Sequence, residues 1–177
     1  MTSTSTPESH IEPWMRGTHT GVPAVGRAVL HALELAIEDL KKWTDGLTDA
    51  EIQCHPFGLM PVARHLRHIA RSTDRLLTYA EGHQLSEDQL KALKAEPQGE
   101  ETLAALLDEV EASFRNAAAR IRALASSDLE AHRAIGRKQL PASAGGALIH
   151  VAEHTQRHVG QVVTTAKVLK ALHGSAG

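Results

Sequence analysis

The sequence predicts an all-α fold, a four-helix bundle. Four long segments repeat apolar residues at the three- and four-residue intervals of an amphipathic helix. Breaks that contain proline or glycine separate these segments, and no segment shows a convincing strand pattern. A chain of 177 residues has about the size of one domain, so the four helices are expected to share a single core.

The N-terminal part, residues 1–20, is predicted to be a tail followed by an ordered arm. Serine and threonine dominate its start, and Trp14 is expected to dock the arm against the rest of the protein. Residues 21–173 form the predicted helical domain. Its first helix starts at Pro23, because proline suits the first turn of a helix, and runs to about Trp43.

The second helix is predicted over residues 61–80, with Pro61 at its start and Glu81-Gly82 after its end. Ser86 and Gln89 have the spacing of a capping box, which predicts a minor helix over residues 86–94. The connection between the second and third long helices is therefore longer than a tight hairpin requires.

The third long helix is predicted over residues 101–125, which are rich in good helix formers. Residues 126–140 are polar and irregular, with a turn or a small hairpin expected at 134–138. The fourth long helix is predicted over residues 143–172.

Charge and composition argue against several classes of protein. The net charge is −2, with 19 basic and 21 acidic residues, so no overall field favours nucleic acid. No apolar run approaches the ~20 residues of a membrane span. Residues 1–10 lack the features of a signal peptide, and Cys54 is the only cysteine. We expect a cytoplasmic protein with no nucleic-acid or membrane partner.

Histidine is the unusual component, with twelve residues against two Phe and one Tyr. His150, His154 and His158 are spaced by four on the predicted fourth helix, so they lie near one face. His65 and His68 lie beside the apolar stripe of the second helix. Three imidazoles and an open position are typical of catalytic zinc, and nickel or iron accepts the same ligands.

The residues alone leave the ligand set open. His150 lies one turn before His154 and is the weakest candidate of its row, and His65 is either a ligand or a residue of the pocket wall. Thr155 occupies the position at which a zincin has its catalytic Glu, so protease chemistry is not expected. The Glu-x-x-His pairs of a ferritin-like di-iron bundle do not occur in the sequence.

The chain resembles the DinB-like metalloproteins over residues 23–172. The resemblance is carried by His68-Ile69-Ala70 and Asp74-Arg75-Leu76-Leu77 in the second helix and by Glu153-His154-Thr155-Gln156-Arg157-His158-Val159-Gly160-Gln161 in the fourth. It implies a four-helix bundle of DinB-like type, a homodimer, and a longer connection between helices 2 and 3. It also implies that His68, His154 and His158 bind a divalent metal, zinc or nickel before iron.

The same resemblance implies a metal-dependent enzyme of the thiol S-transferase or hydrolase type. Its open three-histidine site would activate a low-molecular-weight thiol or water toward a small-molecule substrate. His65, His150 and Arg157 would handle protons or charge around the ion. The alternative is a non-catalytic, stress-associated metal-binding module that uses the helices to dimerise, and a weaker hypothesis treats the histidines as incidental.

Overall fold

The computed structural model describes residues 11–174, and this part of the chain is mostly helical, as predicted. It contains the helices α1 (Ala24–Thr44), α2 (Val62–Ala80), α3 (Glu87–Ala95), α4 (Leu103–Ala125) and α5 (Ala144–Gly174) and the strands β1 (His132–Ile135) and β2 (Leu140–Ser143). Between residues 11 and 174, no helix has the length and apolar content needed to cross a bilayer.

The four long helices enclose the core. α1 and α2 each contact both α4 and α5. Each long helix contributes apolar residues at helical spacing, and fully buried examples are Leu40, Leu66, Val110 and Val162. The apolar stripes predicted from the sequence therefore face one another, and the polar faces remain outside.

α1 and α4 approach closely at one glycine. A Cβ atom added to Gly26 would lie 2.3 Å from the Cβ of Ala125 on α4. Real carbon atoms do not approach to that distance without a shift, so only glycine permits this spacing. The contact fixes the crossing of the first and the third long helix.

The predicted minor helix is α3, and it is held against α2. Ser86 and Gln89 form the capping box that starts it. The Gln89 side chain also donates to Asp74 at 2.6 Å and to Thr78 at 2.8 Å, both on α2. These hydrogen bonds therefore hold the first part of the connection between α2 and α4 against the surface of α2.

A small hairpin is present where a turn or small hairpin was expected, and its two strands extend over residues 132–143, in which the sequence shows no convincing strand pattern. β1 and β2 pair antiparallel, with His132 opposite Ser143 and Ile135 opposite Leu140. Arg133 donates to the carbonyl of Ala80 at 2.6 Å, which docks the hairpin on the end of α2. The strands are short and lack a clear alternation, so a tertiary contact supplies what the local pattern does not.

The described part of the arm before α1 begins at residue 11, and residues 1–10 of the predicted tail lie outside the described residues. Trp14 does not dock the arm, because its side chain is 64% exposed and its indole donates to Glu12 at 2.8 Å. Pro13 is the buried residue of this segment. Arg16 joins the arm to α1 through Glu38 at 2.8 Å.

Candidate metal centre

α2 and α5 bring His68, His154 and His158 together. One possible ligand atom from each lies within 4.8 Å of the other two. The Nε2 atoms of His68 and His154 are 3.3 Å apart. Two nitrogens that each lie 2.0–2.1 Å from a tetrahedral zinc ion are separated by about the same distance. The spacing therefore suits one shared cation.

The positions of the histidines follow from the helices that carry them. On α5, His154 and His158 are one turn apart and flank the buried Thr155 and Val159. On α2, His68 precedes the buried Ile69. All three histidines are half-buried, because each lies at the edge of an apolar stripe. They form a cluster that borders both the core and the solvent.

The Nδ1 atom of each clustered histidine has a partner away from the cluster. Nδ1 of His68 contacts a carboxylate oxygen of Glu96, and Nδ1 of His154 lies 3.4 Å from the Ser72 hydroxyl. Nδ1 of His158 lies 3.1 Å from Nδ1 of His65. With the proton on Nδ1, each imidazole keeps its Nε2 lone pair for a ligand, and the partner fixes the orientation of the ring.

Glu96 and Ser72 are residues of this site that the sequence analysis did not identify, and Glu96 is the charged one. It follows α3 in the chain, its side chain is only 9% exposed, and it also pairs with Arg75 at 2.7 Å. Burial tends to raise its pKa, but the hydrogen bonds from His68 and Arg75 outweigh burial and hold the pKa below the ordinary value. The only sequence signal for Glu96 was that it is an acidic residue in the predicted connection between the second and third long helices.

Burial also favours the neutral form of two of the clustered imidazoles, those of His154 and His158. It lowers the pKa of His154 to about 4, with the nearby His158 and His68 acting in the same direction. The pKa of His158 is lowered as well, first by burial and then by His68. Neutral imidazole is the form that binds metal, so these shifts leave the lone pairs available near pH 7.

The other three predicted site residues surround the cluster. His65 is 2% exposed and lies behind His158, and burial followed by the proximity of His158 lowers its pKa to about 4. The His150 ring lies 5.6 Å from the ring of His154, and its side chain is 41% exposed. Arg157 is exposed to solvent, and its charge contributes to the lowered pKa of His154 and of His158. None of these three belongs to the group within 4.8 Å.

A cavity of about 250 Å³ opens beside the cluster. Its wall combines two of the clustered imidazoles with apolar and charged side chains, namely Met60, Arg64, His68, Leu93, Glu96, Pro97 and His158. A small molecule in this cavity reaches His68 and His158 from the solvent side, so the cluster is open to a ligand from outside the protein.

A sequence model of the DinB superfamily matches residues 32–162. The matched range begins within α1 and ends within α5, so it includes all three clustered histidines. A search of curated proteins found no match. The family match covers well over half of the chain and agrees with the resemblance in the motifs of α2 and α5. The chain belongs to the DinB superfamily.

Proposed function

We propose that this protein is a metal-dependent enzyme in which His68, His154 and His158 hold one divalent cation. The reacting partner is a low-molecular-weight thiol or a water molecule, and the reaction is an S-transfer or a hydrolysis. The cavity of about 250 Å³ that borders His68 and His158 carries this proposal, because it gives a small molecule access to the proposed ligands.

The donor set fits such an ion. Three neutral imidazoles suit zinc, nickel and iron, and the partners Glu96, Ser72 and His65 would hold the rings in place. A bound divalent cation would lower the pKa of a thiol or water at the open position and so supply a nucleophile near neutral pH. We infer that α1, α2, α4 and α5 form the four-helix bundle around this site.

The cavity wall indicates what the chain itself contributes. Arg64 is exposed at the rim, where its charge attracts a carboxylate of a thiol or of a substrate. Met60, Leu93 and Pro97 offer apolar contact to the rest of the molecule. His150, one turn from His154 and partly exposed, is placed to exchange protons with solvent.

The alternative function is a metal-binding module without turnover. A closed site with a fourth protein ligand would favour it, whereas the cavity favours the enzyme. The homodimer stays a prediction from the family.

The test combines metal content with activity. Protein purified without chelator is analysed for Zn, Ni and Fe, and conjugation of monochlorobimane to bacillithiol, mycothiol or glutathione is followed with and without EDTA. We expect about one ion at this cluster and EDTA-sensitive conjugation. His154→Ala should lower the ion content by this one ion and abolish the conjugation, and the exposed His83→Ala is the matched control. Arg64→Gln should retain the ion and raise KM.

Two outcomes would contradict the enzyme. Absence of a bound ion would exclude the metal site itself. A bound ion without turnover of thiol or ester substrates, together with a cobalt spectrum that ignores added thiol and azide, would favour the non-catalytic module.

A further inference from the structure

A second group of side chains that could hold a metal ion lies in the arm and in α1. His19 comes from the arm, and His31 and Glu34 lie one turn apart on α1. One possible ligand atom of each lies within 4.8 Å of the other two. We propose that these three residues form a second metal site, which binds a divalent transition ion such as Zn²⁺ and clips the arm to α1.

The carboxylate of Glu34 supplies the strongest argument. One oxygen, Oε1, lies 2.7 Å from Nε2 of His19. The other, Oε2, is buried and has no hydrogen-bond partner within residues 11–174. Leaving a buried carboxylate oxygen without a partner is unfavourable, and a cation bound between Glu34 and the two imidazoles would satisfy it.

The two histidines are held in place for this role. His31 is 7% exposed, and its Nε2 atom lies 3.0 Å from the Thr18 hydroxyl. His19 has a φ of 57°, in the left-handed region that is unfavourable for residues other than glycine. That backbone conformation places the His19 ring 5.4 Å from the ring of His31. Strained backbone of this kind is concentrated at functional sites.

The donor chemistry selects the class of ion. Two imidazoles and one carboxylate are the ligands of many zinc sites and also suit iron or nickel. Magnesium and calcium prefer a shell of oxygens, which this cluster does not offer. The site is therefore expected to prefer Zn²⁺ over Mg²⁺.

Arg122 of α4 opposes the ion. Its Nη2 atom lies 3.2 Å from Nδ1 of His19, so Nδ1 accepts a hydrogen bond and Nε2 donates to Glu34. An ion on Nε2 requires the proton on Nδ1, which would then face the N–H of Arg122. Metal binding therefore has to displace this contact, and Arg122 weakens the site.

This site is independent of the proposed function. His19 and His31 both precede residues 32–162, over which the family model matches. The three ligands belong to the arm and to α1, whereas the first cluster belongs to α2 and α5. Loss of one cluster should leave the other in place.

The experiment uses the full chain with the first cluster disabled by His154→Ala and His158→Ala. Zn²⁺ is titrated by calorimetry, and Co²⁺ is titrated by visible absorption. We expect one ion to remain bound. Adding Glu34→Gln should weaken the binding of this ion by more than roughly 10–100-fold, which is the loss expected for a residue that only supports a metal ligand. Adding Arg122→Gln should tighten it by about fivefold.

Glu111→Gln is the matched control, since Glu111 lies on α4 in the same groove and pairs with Lys41 instead. It should leave the affinity unchanged, and circular dichroism checks that each variant folds. The proposal is overturned if the double variant binds no ion, or if Glu34→Gln binds as tightly as Glu111→Gln.

Discussion

The Nδ1 atoms of His65 and His158 lie 3.1 Å apart, across the contact between α2 and α5. When Nδ1 of His158 carries the proton, it donates a hydrogen bond to Nδ1 of His65, and Nε2 of His158 is left for a ligand. His65 is thereby engaged behind the cluster. His65 and His68 are only three positions apart on α2, but His65 contacts a clustered histidine from behind whereas His68 belongs to the cluster.

His65→Ala should weaken metal binding at the cluster of His68, His154 and His158, whereas His158→Ala should abolish binding at that cluster. Loss of an outer partner typically costs about 10–100-fold in affinity, because the ligand ring loses its fixed orientation. Competition with a chromogenic chelator measures both constants, with the exposed His83→Ala as control. Equal losses for His65→Ala and His158→Ala would instead make His65 a ligand.

Glu96→Gln should lower metal affinity by a similar factor of about 10–100. The substitution removes the charge that holds Nδ1 of His68 and leaves Arg75 without its carboxylate. Glu87→Gln, an exposed carboxylate at the start of α3, is the matched control. The same chelator titration applies, and an unchanged affinity in Glu96→Gln would show that Glu96 does not support His68.

The metal-free protein should lose stability as the pH falls from about 6.5 to about 4. The pKa of His65 and of His154 is lowered to about 4 in the folded protein, from the ordinary value of 6.5. In this window the unfolded chain binds more protons, so acid favours unfolding. Each residue contributes at most about 1.4 kcal/mol per pH unit.

Urea unfolding in EDTA between pH 7.5 and 4.5 measures this slope. His65→Asn should flatten this dependence of stability on pH, because the substitution removes one of the two imidazoles whose pKa is lowered to about 4. The exposed His83→Ala should leave it unchanged. A free energy of unfolding that stays constant from pH 6.5 to 4.5 would be inconsistent with buried neutral imidazoles.

Gly26→Ala and Gly160→Ala should have opposite effects on stability. The added methyl group at Gly26 meets Ala125, and overpacking of this kind costs about 1–3 kcal/mol. At Gly160 of α5 nothing lies within 4 Å of the added Cβ, so alanine should stabilise by about 0.5–1 kcal/mol. Thermal unfolding compares the two, and shifts of the same sign would contradict the close approach of α1 and α4.

The helices were predictable because their signals are local. Proline at positions 23 and 61 directly precedes α1 and α2, and the capping box of Ser86 starts α3. A turn or small hairpin was expected at residues 134–138, but its strands were not predicted, because they are short and depend on the contact of Arg133 with the end of α2. That contact spans 53 positions of the chain and leaves no local pattern.

The candidate site was predictable only in part, for a similar reason. The spacing of His154 and His158 indicates a shared face, and the structure groups both with His68. A helical wheel does not choose between His65 and His68, because the choice depends on how α2 is rotated against α5. Glu96 is 28 positions from His68, and Glu34 has no motif that connects it to His19.

The segment between α2 and α4 lies outside the two helices that carry the clustered histidines, so it can be exchanged without altering those helices. The three imidazoles belong to two long helices that also build the core. Leu93, Glu96 and Pro97 belong instead to one surface segment, and they form one wall of the cavity and the support of one imidazole. Chimaeras that exchange only this segment should acquire a new substrate preference or ion affinity on an unaltered histidine scaffold.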